Sequence, residues 1–161
     1  MTIQPGEKIP DTILMCMTDE GPQPMKAHDI FGGRKAVLFA VPGAFTPTCH
    51  NQHVPGYLAH MKDFEAKGVD LIACVTVNDV FVVDAWARQL NAKDKIMFLG
   101  DGNGDFAKAV GLDQDFTPFS MGVRSQRYAM ILDDCTLKAL HIEEAAAQAV
   151  QSGAEAMLAE L

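Results

Sequence analysis

The chain has 161 residues, 48% of them hydrophobic and 21% charged, a size within the ~100–200 residues of one ordinary domain that needs no disulfide or metal staple. Thirteen basic against twenty-one acidic residues leave a net charge of −8, which argues against nucleic acid as a partner because phosphates demand a concentrated basic face. No apolar run approaches the ~20 residues that span a bilayer and the first residues form no secretory signal, so residues 1–161 are expected to be a single cytoplasmic domain with no membrane partner.

Short apolar runs alternate with helical patterns along the chain. Thr12–Met17 reads as a first strand, closed by a turn at Asp19-Glu20-Gly21-Pro22. Lys35–Val41 is a nearly continuous apolar strand, the pattern of a sheet covered on both faces. From about Pro47 to Ala66 the period becomes helical, and Pro55 predicts a kink. Val69–Val77 is a second buried strand; Asn78-Asp79 supplies a cap for the helix that carries Val82, Trp86 and Leu90. Lys95–Leu99 reads as a strand and Asp105–Val110 as a short helix ended by Gly111. Gln126–Leu132 and Thr136–Ile142 form a hairpin around Asp133-Asp134-Cys135. Glu143–Gln151 reads as a separate turn of helix, and Ser152-Gly153-Ala154-Glu155 has the form of a capping box opening a terminal helix. The economical arrangement is a mixed β-sheet flanked by helices, an α/β sandwich.

The sharpest chemistry lies in Val41-Pro42-Gly43-Ala44-Phe45-Thr46-Pro47-Thr48-Cys49-His50. A buried strand ends, a Pro/Gly loop follows, and Cys49 falls in the first turn of the next helix. Unsatisfied N–H groups and the partial positive charge of a helix start favour a thiolate there. Position alone leaves two readings open, a nucleophile or a small apolar residue packed at the junction.

Pro42, Thr46 and Cys49 fit Pro-x-x-x-Thr-x-x-Cys, which resembles the active-site signature of the peroxiredoxins, thiol peroxidases on a thioredoxin-like fold. The surrounding PGAFTPTCHNQHVPGY is similar to their type II subfamily, the class of the fifth human type and the plant type II enzymes, as are GVDLIACVTVNDVFVVDAW and RYAMILDDCTLKAL. The resemblance implies a peroxidase for hydrogen peroxide and organic hydroperoxides. Cys49 would attack one peroxide oxygen and become a sulfenic acid. Thr46 would direct its hydroxyl at the sulfur, Pro42 would shield it, and Arg127 would stabilise the thiolate and the charge on the leaving oxygen. Each has a plainer alternative: Thr46 as an N-cap, Pro42 as a strand terminator, Arg127 as a hairpin-edge residue. Arg124 competes with Arg127, which is preferred because it falls inside the strand pattern while Arg124 sits in the preceding loop. The resemblance further implies no bound metal, haem, flavin or nucleotide, a homodimer, and recycling by an external thiol, either glutathione with glutaredoxin or thioredoxin.

The remaining cysteines read differently. Cys74 is mid-strand in an apolar run and suits the core, although plant-type members carry a cysteine in this segment, which leaves a resolving or regulatory role open. Cys16 and Cys135 have no motif support, and Glu143–Leu161 contains no cysteine that could resolve the sulfenic acid. Cys49-His50-x-x-His53 offers three zinc-type ligands but no fourth, so His50 and His53 are expected on the helix surface or at an interface. Gly102-Asn103-Gly104-Asp105-Phe106-Ala107 has the form of a dinucleotide fingerprint but lacks the distal carboxylate and reads as a turn. Asp101-x-Asn103-x-Asp105 fails as a calcium loop, since Phe106 stands where Gly is required. Exposed Phe45 and Thr48 and the loop at Phe116–Phe119 suggest a flat contact surface. Two rival functions stay open: a non-catalytic redox-sensing module using Cys49 as a switch, and a protein-disulfide oxidoreductase. The latter usually carries Cys-x-x-Cys, where this chain has Thr46.

Overall fold

The computed structural model describes residues 1–161. Nine strands form in chain order: β1 (Ile13–Thr18), β2 (Gly21–Lys26), β3 (Lys35–Val41), β4 (Leu71–Thr76), β5 (Met97–Gly100), β6 (Asp113–Asp115), β7 (Val123–Ser125), β8 (Tyr128–Asp133) and β9 (Thr136–Ile142). Six short helices accompany them: α1 (Ala27–Phe31), α2 (Val54–Ala59), α3 (Met61–Ala66), α4 (Val80–Gln89), α5 (Asp105–Ala109) and α6 (Ala154–Leu158). Seven strands make one mixed sheet in the order β2-β1-β5-β4-β3-β8-β9, while β6 and β7 pair separately. β3, β4 and β5 run parallel at its centre, and β8 lies antiparallel to β3.

The alternation of a two-faced sheet is clearest in β3. Ala36, Leu38 and Ala40 face one layer, together with Ala73, Val75, Tyr128 and Met130, under α1, α5 and the N-terminal Ile3 and Ile9. Val37, Phe39 and Val41 face the other with Cys49, Cys74, Tyr57 and Trp86. Both sides of the strand are therefore covered, which is why its sequence is continuously apolar. Cys49 belongs to the second layer.

Several local features follow from the residues present. Asp79 caps α4 by accepting from Val82 N at 2.9 Å, leaving one fewer orphan donor in the first turn. Asp134 and Cys135 have φ of 48° and 69°, the conformation of a two-residue type I′ hairpin turn whose twist matches the flanking strands. Gly111, with φ of 75°, turns the chain after α5 as a C-terminal glycine does.

The structure corrects the sequence reading at several places, adding α1, β6 and β7 to the expected elements and starting β8 at Tyr128 rather than Gln126. β2 is absent from the expected elements, because Pro22 and Pro24 look like turn residues; it forms as the outermost strand, where a residue without an N–H is tolerated. The helix expected over 47–66 is broken: Cys49–His53 is a π-helical turn, and His60 separates α2 from α3. Pro55 cannot donate to Asn51 O and its ring crowds that carbonyl, so the preceding turn widens, with Val54 N bonding Cys49 O. The capping box does not form. Gly153 is the N-cap of α6 without a side-chain bond, and Ser152 turns its hydroxyl to Glu143 instead. Finally, the stretch 143–151 is irregular rather than helical.

Candidate active site

Cys49 is set at the C-terminal end of β3, just past the loop Pro42–Thr46, and its side chain is fully buried. His50 N bonds Thr46 O at 2.9 Å, which starts the helical turn around the cysteine. Two groups reach the sulfur. Arg127 Nη2 lies 2.9 Å from Sγ, and Thr46 Oγ1 lies 2.8 Å from it. Thr46 Oγ1 is also 2.7 Å from Gly43 O. A hydroxyl has one hydrogen, so it can serve the carbonyl while the sulfur is a thiol and turn to the sulfur once that becomes a thiolate.

Arg127 is itself 3% exposed and every nitrogen of its fork is engaged. Nη1 approaches His53 Nδ1 at 2.8 Å and Nε donates to Ala146 O at 2.9 Å. A buried guanidinium with a full set of partners is held in one orientation, which a flexible surface arginine is not. Arg127 lies in the gap between β7 and β8, whereas Arg124 falls within β7, so the strand argument for preferring Arg127 is wrong. The geometry separates the two arginines nonetheless. Arg124 donates from Nε to Met121 O at 2.8 Å and from Nη1 to Pro42 O at 3.3 Å, and so braces the loop rather than the sulfur.

His53 overturns the expectation of a surface histidine. It is 1% exposed, and its Nε2 lies 3.0 Å from Ser152 O, a carbonyl that Tyr57 Oη also bonds at 2.7 Å. A carbonyl accepts only, so Nε2 carries the proton and Nδ1 accepts from Arg127. Burial first, and then the Arg127 guanidinium, push the imidazole down to about 3, so the ring is neutral under physiological conditions. His53 is four residues after Cys49, on the same helical face, and that spacing is the signal available in the sequence. His50 points elsewhere, accepting from Trp86 Nε1 at 3.2 Å. Cys49, His50 and His53 thus do not converge, and no cluster of three metal-ligating side chains exists in the structure.

Pro42 is buried at the strand end. Asn78, which no motif singles out, ties this loop to β4: its Oδ1 accepts from Ala44 N at 2.9 Å and Thr76 Oγ1 at 2.8 Å. Cys74 sits inside β4, fully buried; burial first, and then the charge on Cys49, raise its thiol well above the ordinary range. Cys16 and Cys135 are raised as well, chiefly by burial, and all four cysteines are free. At the glycine-rich turn, Asp101 accepts from Phe106 N at 3.1 Å and Ala107 N at 2.9 Å, so the chain's own carboxylate occupies the start of α5.

The family model described as Redoxin matches residues 4–158. The chain belongs to the redoxin family and is a peroxiredoxin, a thiol-dependent peroxidase. It is 42% identical over 161 residues to "Peroxiredoxin-2E, chloroplastic" of Arabidopsis thaliana, covering 98% of this chain and 68% of the relative. To "Peroxiredoxin-2C" of Oryza sativa subsp. japonica it is 44% identical over 154 residues, 95% of this chain and 94% of the other. Among solved structures, reduced Prx3 from Vibrio vulnificus in complex with hydrogen peroxide superposes with a TM-score of 0.94 at 46% identity, covering 99% of each chain. This peroxiredoxin therefore has the thioredoxin-like fold, and the type II resemblance of the Cys49 segment extends along its whole length. No helix is long and apolar enough to cross a membrane.

Proposed function

We propose that Cys49 is the thiol that reacts with the peroxide and that Arg127, Thr46 and Pro42 act on it directly. The observation that carries this reading is the sulfur held between Arg127 Nη2 at 2.9 Å and Thr46 Oγ1 at 2.8 Å in the first turn of a helix. The thiolate attacks the terminal oxygen of a hydroperoxide, an S–O bond forms, and the O–O bond breaks. The electron pair leaves on the distal oxygen, which takes a proton from solvent and departs as water or an alcohol. Arg127 offsets negative charge first on sulfur and then on the leaving oxygen, in a water-poor site where such preorganised charge is most effective. Thr46 orients the pair, and Pro42 keeps bulk water from the sulfur. Because Cys49 is buried, small hydroperoxides are favoured.

The sulfenic acid is returned to the thiol by an external reductant. Two thiol equivalents supply two electrons, one oxygen leaves as water, and a disulfide of the reductant results; glutathione with glutaredoxin, or thioredoxin, fits this need. Cys74 is a poor internal partner, since its thiol is fully buried inside β4 and resists ionisation. No bound cofactor is required by this chemistry. Four free thiols suit a reducing compartment, and we place the protein in the cytoplasm. Phe45 and Phe119 are 49% and 72% exposed on neighbouring loops, where Met121 approaches Gly43; this apolar rim supports a homodimer, whereas Phe116 is buried beneath it.

Intact mass after one equivalent of hydrogen peroxide tests the cycle. Without thiol, one oxygen is expected on Cys49; with glutathione, a single glutathione adduct at that residue. Loss of two hydrogens, with Cys49 and Cys74 joined, would refute the external route.

A further inference from the structure

Arg127 is fixed largely by a segment with no regular structure. Ala146 O receives its Nε at 2.9 Å, and Ser152 O holds the ring of His53, whose Nδ1 receives Nη1. Both carbonyls belong to the stretch 143–152. Thr48 Oγ1, one residue before Cys49, donates to a third carbonyl of the same stretch, Ala147 O, at 3.1 Å. The sequence Glu144-Ala145-Ala146-Ala147-Gln148-Ala149 is rich in the best helix former, yet it is not helical. No side chain within 144–149 makes a hydrogen bond that would shape it.

The shape comes from its two ends. Glu143 is 7% exposed; its Oε2 accepts from Ser152 N at 2.6 Å and Ser152 Oγ at 2.5 Å, and its Oε1 from Gln151 N at 3.1 Å. Its own N donates to Arg127 O at 3.0 Å, extending the β8–β9 pairing to the arginine. A buried carboxylate costs free energy unless donors satisfy it. Here the donors are the far end of the loop, and no cation shares the carboxylate. We propose that Glu143 is a positioning residue of the peroxidase: its carboxylate closes the 143–152 loop into a clasp that presents Ala146 O to Arg127 and Ser152 O to His53, and so keeps Nη2 on the Cys49 sulfur. The inference rests on the reading of Arg127 above and adds the device that aims it.

Glu143→Gln retains the size of the side chain but sets an amide N–H₂ against donors. Its effect is read from the second-order rate constant of Cys49 with hydrogen peroxide, the rate of Cys49 alkylation at neutral pH, and a double-mutant cycle with Arg127→Gln. The variant is expected to lose about tenfold in peroxide rate, a loss typical of a displaced electrostatic group, with Cys49 alkylation at neutral pH slowed in the same direction as is expected for Arg127→Gln. In the Arg127→Gln background the same change is expected to alter the rate less than about twofold, since its effect passes through the arginine. A tenfold loss undiminished in that background would show a merely structural role, and an unchanged rate in Glu143→Gln would overturn the proposal outright. Should Glu143→Gln fail to fold, Ser152→Ala, which removes one of the three bonds, is expected to lose about threefold, again only when Arg127 is present; no loss would overturn the clasp. Arg127→Gln without effect on the peroxide rate would refute the reading of the site itself, an outcome distinct from failure of the clasp alone.

Discussion

Replacing His53 by glutamine should flatten the acid side of the stability profile. In the folded protein burial and the Arg127 guanidinium push this imidazole down to about 3, while in the unfolded chain it titrates near ~6.5. The unfolded state therefore binds the additional proton as pH falls, and stability drops between those two values rather than rising. Well above ~6.5 the effect vanishes, and below that value the slope approaches about 1.4 kcal/mol per pH unit. Between about pH 7.5 and 5 the loss from this one ring amounts to about 2 kcal/mol. The glutamine side chain does not titrate, and other groups contribute alike to both proteins, so the difference between the two isolates the ring. Urea unfolding at both pH values measures it: wild type should lose about 2 kcal/mol more than His53→Gln over this range. The variant itself should be less stable at neutral pH, because the bonds to Arg127 and Ser152 O are lost or lengthened. Equal losses for both proteins would mean that His53 is not the neutral, buried partner of Arg127.

Other changes probe the loop and its neighbours. A Cβ at Gly43 would stand 3.1 Å from Thr46 Cγ2 and 3.2 Å from Met121 Cε, so Gly43→Ala should displace Thr46 and reduce the peroxide rate by about tenfold while leaving stability within ~1 kcal/mol; steady-state peroxide assays beside thermal melts would show it. Thr46→Val keeps the shape of the side chain and removes the hydroxyl that stands 2.8 Å from the sulfur. It is expected to slow the reaction by about a hundredfold, the loss typical of one preorganised donor, in a stopped-flow measurement. Asp79→Ala deletes the α4 cap and should lower unfolding free energy by about 1 kcal/mol without changing the peroxide rate, which separates scaffold from site.

Much of this is legible in the residues, and the rest is not for definable reasons. β3, β4 and β8 are continuous apolar runs, and burial on both faces leaves that pattern no other reading. Asp79 and the Asp134-Cys135 turn are likewise visible, because capping and hairpin chemistry are local. β2 is hidden by its prolines, whose tolerance depends on being outermost in a sheet. At the site, Cys49, Thr46, Pro42 and Arg127 are singled out by resemblance, and the structure brings Thr46 and Arg127 onto the sulfur. Strand membership does not favour Arg127 over Arg124; contact with Cys49 distinguishes them. His53 shares a helical face with Cys49 by its spacing, yet nothing in that spacing says that the face is buried against Ser152 rather than exposed. Glu143 and Ser152 have no local signal. Ser152-x-x-Glu155 even points the other way, because a hydroxyl can satisfy a helix start or a distant carboxylate, and only the tertiary packing decides.

The proposed mechanism places the whole reaction on one sulfur, Cys49 Sγ. Stopped-flow mixing of the reduced protein with hydrogen peroxide, followed by intact mass and peptide mapping, tests it on wild type and Cys49→Ser together. Wild type should consume one equivalent of peroxide and place a single oxygen on Cys49, and Cys49→Ser should consume none above the background rate. Peroxide consumption retained in Cys49→Ser, or the first oxygen found on Cys74, would contradict the mechanism.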